Sequence, residues 1–248
     1  MPIQGTLDVS PRISEAPLAS DLATEPVVLE KAQVLQVMFE IASAHIDDLL
    51  PPALQRTDPP VATFVVIKAV DSALGTFTLA QTRVGCRAGA RPRGFVTGGY
   101  IDTPIPALEK RWGFGLAPAS VTLGGRYHDV EAEVSVDGRP ILVTSLVDPV
   151  PLSGAEIQFA ASMQLARVIR DGKEKPRLVQ VDPELTFHRA SRGRPRLDVF
   201  AADAWGDGRI EPVYPVSAWY AVCDLSLPRV RYICDPALPA FQGTEKLA

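Results

Sequence analysis

From Pro59 onward the chain never sustains an apolar run for long before Gly, Pro or Asp interrupts it. The segments include "VATFVVIKAV", "GTFTLAQTRV", "GFVTGGYI", "VEAEVSV", "RPILVTSLV" and "VRYICD". Such punctuation leaves room for many short strands and few helices, which predicts a barrel or sandwich. In "HDVEAEVSVDGRPILV" the alternation is explicit: Val130, Ala132, Val134 and Val136 fall on one face, with Asp129, Glu131, Glu133 and Ser135 on the other. Asp137-Gly138 then predicts a hairpin turn. The helical candidates are "SAHIDDLLPPAL", stopped by Pro51 and Pro52, and "PIPALEKRW". "KAQVLQVMFEIAS" fits a helix, but it equally fits a strand on which Val34, Gln36, Met38 and Glu40 share a face.

A chain of 248 residues, 46% hydrophobic, can bury one sizeable core, so residues 27–248 read as a single domain. Residues 1–26, poor in large apolar side chains and dotted with Pro and Ser, read as a flexible N-terminal arm. A net charge of -4 gives no reason to expect nucleic acid or an anionic membrane as partner. The one basic cluster, Arg189, Arg192, Arg194 and Arg196, is read as a solvated turn at Gly193 and Pro195. Cys86, Cys223 and Cys234 are too scattered for a disulfide framework or a metal-ligand pair. No export signal and no run of ~18 apolar residues is visible, and a cytoplasmic location is expected. With no HExxH, GxGxxG or phosphate-binding loop, neither a metal nor a cofactor is expected.

Six motifs, "LLPPALQ" (49–55), "GTFTLAQ" (75–81), "GGYID" (98–102), "KRWGFGLA" (110–117), "RPRLDVF" (194–200) and "DLSLPRVRYICD" (224–235), occur in an order and spacing that resemble acetoacetate decarboxylase and its relatives over roughly residues 33–236. The resemblance implies a mainly β (α+β) fold: a cone-shaped, mostly antiparallel β-barrel, closed or nearly so, with a few short helices and an internal pocket. It also implies a homo-oligomer, a dimer or larger. It favours a strand at 33–41, turning Glu40 toward the pocket, and a helix at Ala44–Leu50.

In that family the segment like "RWGFGLA" carries two adjacent lysines, one of which forms a Schiff base with a ketone. The amine attacks only when neutral, a state that desolvation beside a second cation secures. Here the matching positions are Leu116 and Ala117. Two family glutamates match Leu79 and Phe64, and an arginine suited to a substrate carboxylate matches Glu40. The departure argues against imine-based decarboxylation of acetoacetate. It points instead to an apolar cavity lined by Phe64, Leu79, Trp112, Phe114 and Leu116, with His188 on a neighbouring strand.

Three side chains are the catalytic candidates. Glu40, as a carboxylate in an apolar pocket, is suited to acid/base work. Lys68 shares a strand face with Phe64 and Val66 and offers an amine from another wall. Tyr100 offers a phenol to a developing enolate. The function expected is a small-molecule enzyme that dispenses with the family lysine: a cyclase, dehydratase or isomerase-type lyase on an apolar polyketide- or terpenoid-like intermediate. The alternatives are a decarboxylase or aldol-type lyase using Lys68, and a non-catalytic carrier of an apolar ligand.

Overall fold

The strands Val61–Ser72 and Gly75–Ala88 are buried almost residue by residue rather than every second residue, so both faces of the sheet are covered where they run. The computed structural model describes residues 3–89, 91–126, 128–170 and 172–247. In chain order its strands are β1 (Leu18–Ala19), β2 (Val27–Ile41), β3 (Gln55–Arg56), β4 (Val61–Ser72), β5 (Gly75–Ala88), β6 (Arg91–Ile101), β7 (Ala117–Pro118) and β8 (Ser120–Arg126). They continue as β9 (Asp129–Val136), β10 (Arg139–Pro151), β11 (Ser162–Arg170), β12 (Lys173–Val181), β13 (Glu184–Phe200), β14 (Pro212–Leu227), β15 (Tyr232–Cys234) and β16 (Thr244–Lys246). The α-helices among the described residues are α1 (Pro106–Trp112) and α2 (Ala240–Gly243), and neither is long enough to cross a membrane.

All the strands belong to one sheet, with path β16-β15-β12-β11-β6-β5-β4-β2-β14-β13-β10-β9-β8. Among the described residues the ladder does not close on itself, so the β-rich, few-helix fold expected from the resemblance takes the form of a rolled, open sheet. It is also mixed, because β11 pairs parallel with β6 and with β1, and β7 pairs parallel with β6. One end, β8 to β10, rolls back over one face of the central strands, burying Phe64, Val66 and Ala80 against Leu123, Ala132 and Val134. The other end, β11 and β12, covers the opposite face, burying Ile67, Leu79 and Ile101 against Ala166, Val168 and Val179. Only outer strands such as β9 and β13 keep a water-facing side and hence a visible alternation.

The ambiguous segment at 33–41 is a strand, within β2, and a 3-10 helix follows at Ser43–Leu49. Asp137 and Gly138 both have positive φ, 50° and 73°, as the tight turn between β9 and β10 requires. Two expectations fail. Gly193 and Pro195 make no turn, since β13 runs straight through them; Arg194 pairs with Asp148, and Arg196 with Asp198 and Glu131. Nor does the N-terminal arm hang free: Gly5 donates to the Leu54 carbonyl, Leu7 to that of Leu50, and Arg12 to the Gly206 carbonyl and to Asp207. Backbone hydrogen bonds and one arginine anchor the stretch, together with small apolar side chains such as Ala19 and Ala23 in one core cluster and Leu7 against another.

Candidate functional site

The segment "RWGFGLA" owes its path to two glycine devices. Helix α1 begins with Pro106, whose missing N–H costs nothing there, and ends at Gly113 with φ of 70°. The Gly113 N–H reaches the Glu109 carbonyl at 2.8 Å, and the Phe114 N–H reaches that of Leu108 at 3.2 Å. A Cβ on Gly113 would stand 2.8 Å from the Ala166 methyl, so helix and sheet meet there at backbone distance. Trp112 is thereby driven into the core, its Nε1 donating to the Pro228 carbonyl at 2.7 Å. Phe114 follows it inward.

The second device is the pair Gly98-Gly99 on β6, whose missing side chains make room on opposite faces of one strand. On one side a Cβ at Gly98 would come within 2.9 Å of the Trp205 backbone. On the other, a Cβ at Gly99 would meet the Gly115 carbonyl and Leu116 Cδ2 at 2.8 Å, with Gln81 Cγ at 3.4 Å. Leu116 therefore lies directly over Gly99 and beside Gln81. Gly206, with φ of 91°, closes the Trp205 side, where a Cβ would stand 2.2 Å from the Thr97 carbonyl. Gly206→Ala should cost about 1–3 kcal/mol through this backbone strain, read as a lowered urea midpoint with unchanged slope.

A groove of about 450 Å³ opens here, lined by Tyr100, Phe114 and Leu116, with Glu15 and Glu109 among its residues. A smaller hollow of about 240 Å³ shares Glu15, Gly98 and Gly115 with it and reaches inward to Gln164. Tyr100 stands edge-on to Trp205, its phenol donates to the Ala204 carbonyl at 2.5 Å, and burial raises its pKa. Glu109 accepts from the Leu18 N–H at 3.3 Å, which ties the arm to α1.

Behind Leu116 the sheet carries three cross-strand rows on one face. The first is apolar: Val34, Ile67, Leu79 and Ile101. The second holds Trp219, Gln36, Val65, Gln81 and Gly99, and the third Met38, Thr63, Arg83 and Val96. The polar side chains of these rows are almost wholly buried, Gln36 at 1%, Gln81 at 1% and Arg83 at 2% exposure. Arg83 donates to Gln81 Oε1 from Nε at 3.1 Å and from a terminal nitrogen at 2.7 Å, and to the Ala160 carbonyl. No carboxylate among the described residues pairs with it, and burial pushes the guanidinium down to about 9.

The residues proposed from the sequence are divided by this architecture. Leu79, Trp112 and Phe114 are packed in one core cluster, with Leu116 against it. Phe64 is on the other face of the same sheet, between Phe39 and Phe200. The expected single cavity containing both Phe64 and Leu79 is ruled out, because Phe64 is in register with Thr82 whereas Leu79 is in register with Ile67. Lys68 does share the face of Phe64 and Val66, half-buried between Gln33 and Thr78, away from Leu79. Glu40 shares a face with Gln36 but lies two rows further on, opposite Val61 and Tyr214, and pairs with no cation among the described residues. His188 is exposed and engages Asp224 at 2.9 Å, so it faces water rather than a pocket.

Sequence reasoning passed over Glu15, hidden in the arm, and Arg83, whose face follows only from the phase of β5. Its signal was the spacing Leu79, Gln81, Arg83 in an otherwise apolar strand. The three cysteines are buried free thiols, and burial pushes Cys86 and Cys223 up to about 12, so neither serves as a nucleophile. Among the described residues no three His, Cys, Asp or Glu side chains gather closely enough to hold a metal.

A rolled, mostly antiparallel sheet with a short helix delivering a W-G-F segment to its interior defines a β-rich small-molecule scaffold. The chain matches the acetoacetate decarboxylase family model over residues 14–236 and belongs to that family. It is similar to the acetoacetate decarboxylase of Legionella pneumophila subsp. pneumophila str. Philadelphia 1, with a TM-score of 0.72 at 20% identity over 84% of this chain and 86% of that one. It is also similar to the enduracididine biosynthesis enzyme MppR, with a TM-score of 0.65 at 15% identity over 92% and 89%. An acetoacetate decarboxylase-like enzyme from Sphingomonas wittichii RW1 superposes with a TM-score of 0.61 at 16% identity over 86% and 93%. No curated protein sequence matches the chain.

Proposed function

We propose that this chain is a small-molecule enzyme that uses the family scaffold without imine chemistry. In this reading it is a lyase or isomerase, guiding dehydration, ring closure or isomerisation of an apolar carbonyl compound of the polyketide or terpenoid kind. The observation that carries the reading is Leu116, which lies over Gly99 and against Gln81 in the segment where the family's amine would stand. Apolar walls at Phe114 and Leu116 suit an apolar substrate, and holding it in a reactive fold can itself lower a barrier by several kcal/mol. Acid/base groups are at hand at the rim in Glu15 and Glu109 and within the groove in Tyr100. The similarity to MppR, an enzyme of enduracididine biosynthesis, agrees with a place in secondary metabolism. A homo-oligomer of dimer size or larger, working in the cytoplasm, completes the proposal, and sizing that returned 26.7 kDa would remove the first part.

The test is reductive trapping joined to proton exchange. Borohydride added with acetoacetate or pyruvate should leave the intact mass unchanged, and no carbon dioxide should be released. Enolisable ketones in heavy water should exchange their α-protons faster with the protein than without it. An adduct mapped to Lys68 or any other lysine would overturn the proposal. Absence of exchange across ketones that do bind would leave a carrier of an apolar ligand.

A further inference from the structure

Arg91 and Arg93 stand two apart at the start of β6, so the alternation of a strand sets both on one face. Their surroundings differ. Arg93 is 7% exposed and tied into the fold: Nε and one terminal nitrogen hold Asp182 at 2.8 and 2.7 Å, and the other terminal nitrogen reaches the Ala88 and Arg91 carbonyls at 3.2 and 3.4 Å. Arg91 is exposed and pairs with no carboxylate among the described residues. Beside them the sheet is held by few rungs. Among the described residues β6 pairs with β11 at Gly94 and Phe95 alone, and β12 with β15 at Leu178 and Val179 alone, so the ladder opens between the start of β6 and the edge formed by β12 and β15. A hollow of about 460 Å³ occupies the opening, with apolar walls at Met163, Leu178, Ile233 and Phe241. No carboxylate lines it. Phe241, on α2, is 79% exposed, an aromatic ring left to water beside an apolar hollow. A second hollow, of about 700 Å³, shares Arg91, Arg93, Gln180 and Tyr232 with the first and adds charged groups such as Asp182, Glu184 and Arg231. The two adjoin at Arg91 and Tyr232, apolar on one side and charged on the other.

We propose that the apolar hollow is a second ligand site, for a free amphipathic anion whose apolar body lies against Leu178, Ile233 and Phe241 and whose charged head meets Arg91 where the hollow turns polar. Charge complementarity selects the ligand. Arg93 already has its counter-ion in Asp182, so the open guanidinium of Arg91 is what an incoming anion finds, with no carboxylate in the apolar lining to repel it. A cationic amphiphile would meet the same guanidinium with nothing to offset it. The volume agrees, since small-molecule sites occupy about 300–1,000 Å³. This hollow shares no lining residue with the groove at Leu116, so the site goes beyond the function proposed above and does not rest on it.

The experiment is calorimetric titration of the whole protein with decanoate, decanol and decyltrimethylammonium, each below the concentration at which it forms micelles. Decanoate should bind, decanol about threefold to tenfold more weakly, and decyltrimethylammonium more weakly still. Added salt should weaken decanoate and leave decanol unchanged. Arg91→Gln should lower decanoate to the affinity of decanol, and Arg91→Glu should reverse the order, so that decyltrimethylammonium binds more tightly than decanoate. Phe241→Ala should weaken all three alike, by about threefold or more. Both side chains are exposed, so the variants should keep the parent's unfolding midpoint. Absence of decanoate binding, equal affinity for decanoate and decanol, or an order that Arg91→Glu leaves in place would each overturn the site, as would affinities that ignore Phe241→Ala. Vesicles of phosphatidylglycerol should not sediment the protein; sedimentation with them would overturn the free ligand and assign the surface to a membrane. The borohydride experiment is independent: a trapped adduct removes the imine-free reading and leaves this site, and failure of decanoate to bind does the reverse.

Discussion

Trp112→Ala should destabilise the fold by about 3–5 kcal/mol, enough to remove much of the stability of a domain this size. The side chain is fully buried and sits where α1 meets the sheet, with the Arg111 guanidinium 4.7 Å over its ring. Its indole holds the Pro228 carbonyl at 2.7 Å. The same end of α1 carries the arm, since Asp21 and Ala23 donate their N–H groups to the Lys110 and Arg111 carbonyls. Removing the ring therefore leaves a cavity, an unpaired carbonyl and a loosened platform for Gly113 to Leu116. Trp112→Phe keeps most of the volume and loses the hydrogen bond, so about 1–2 kcal/mol should go. Urea unfolding of the two variants checks both values. Were Trp112 instead a wall of a ligand cavity, as the sequence suggested, Trp112→Ala would stay nearly as stable as the parent and change ligand binding alone.

That difference marks how much could be read from the chain alone. The strand-rich fold was legible because Gly, Pro and Asp interrupt every apolar run, and β9 displayed its alternation because only one of its faces is wet. For β4 and β5 both faces are buried, so Phe64, Val65, Val66 and Ile67 look alike in sequence although they serve two different cores. Phase alone separates Phe64 from Leu79, and phase is set by register with neighbours far away in the chain. The same ambiguity hid Arg83: in "LAQTRV" a charged residue reads as a strand edge until Gln81 and Gln164 are placed around it. Loss of the amine at Leu116 was visible in the motif itself. What the sequence could not show is that Leu116 lies over Gly99 in the row of Gln81, whose Oε1 accepts from the buried Arg83, because Gln81 and Arg83 come from β5 and Leu116 follows α1.

That proximity yields the largest chemical effect expected. Leu116→Lys should give a protein that forms a borohydride-trapped adduct with acetone or acetoacetate, where the parent gives none. The new side chain starts from a half-buried position over Gly99, and its stem can follow the path of the leucine beside Gln81. Its ammonium would then meet partial desolvation and the Arg83 cation behind Gln81 Oε1, and both act in the same direction, lowering the amine's pKa toward neutrality. A neutral amine in a groove is the species that attacks a ketone, so trapping should become fast at pH values where ordinary lysines stay protonated. The cost is stability, about 1–3 kcal/mol for placing a polar group in an apolar setting next to a like charge. Arg83→Gln in the same background tests the cause: with the second cation gone the amine should regain its proton, and the pH at which trapping reaches half its maximum should rise. A folded Leu116→Lys that trapped no ketone, or whose pH profile ignored Arg83→Gln, would mean that the two positions do not share a site.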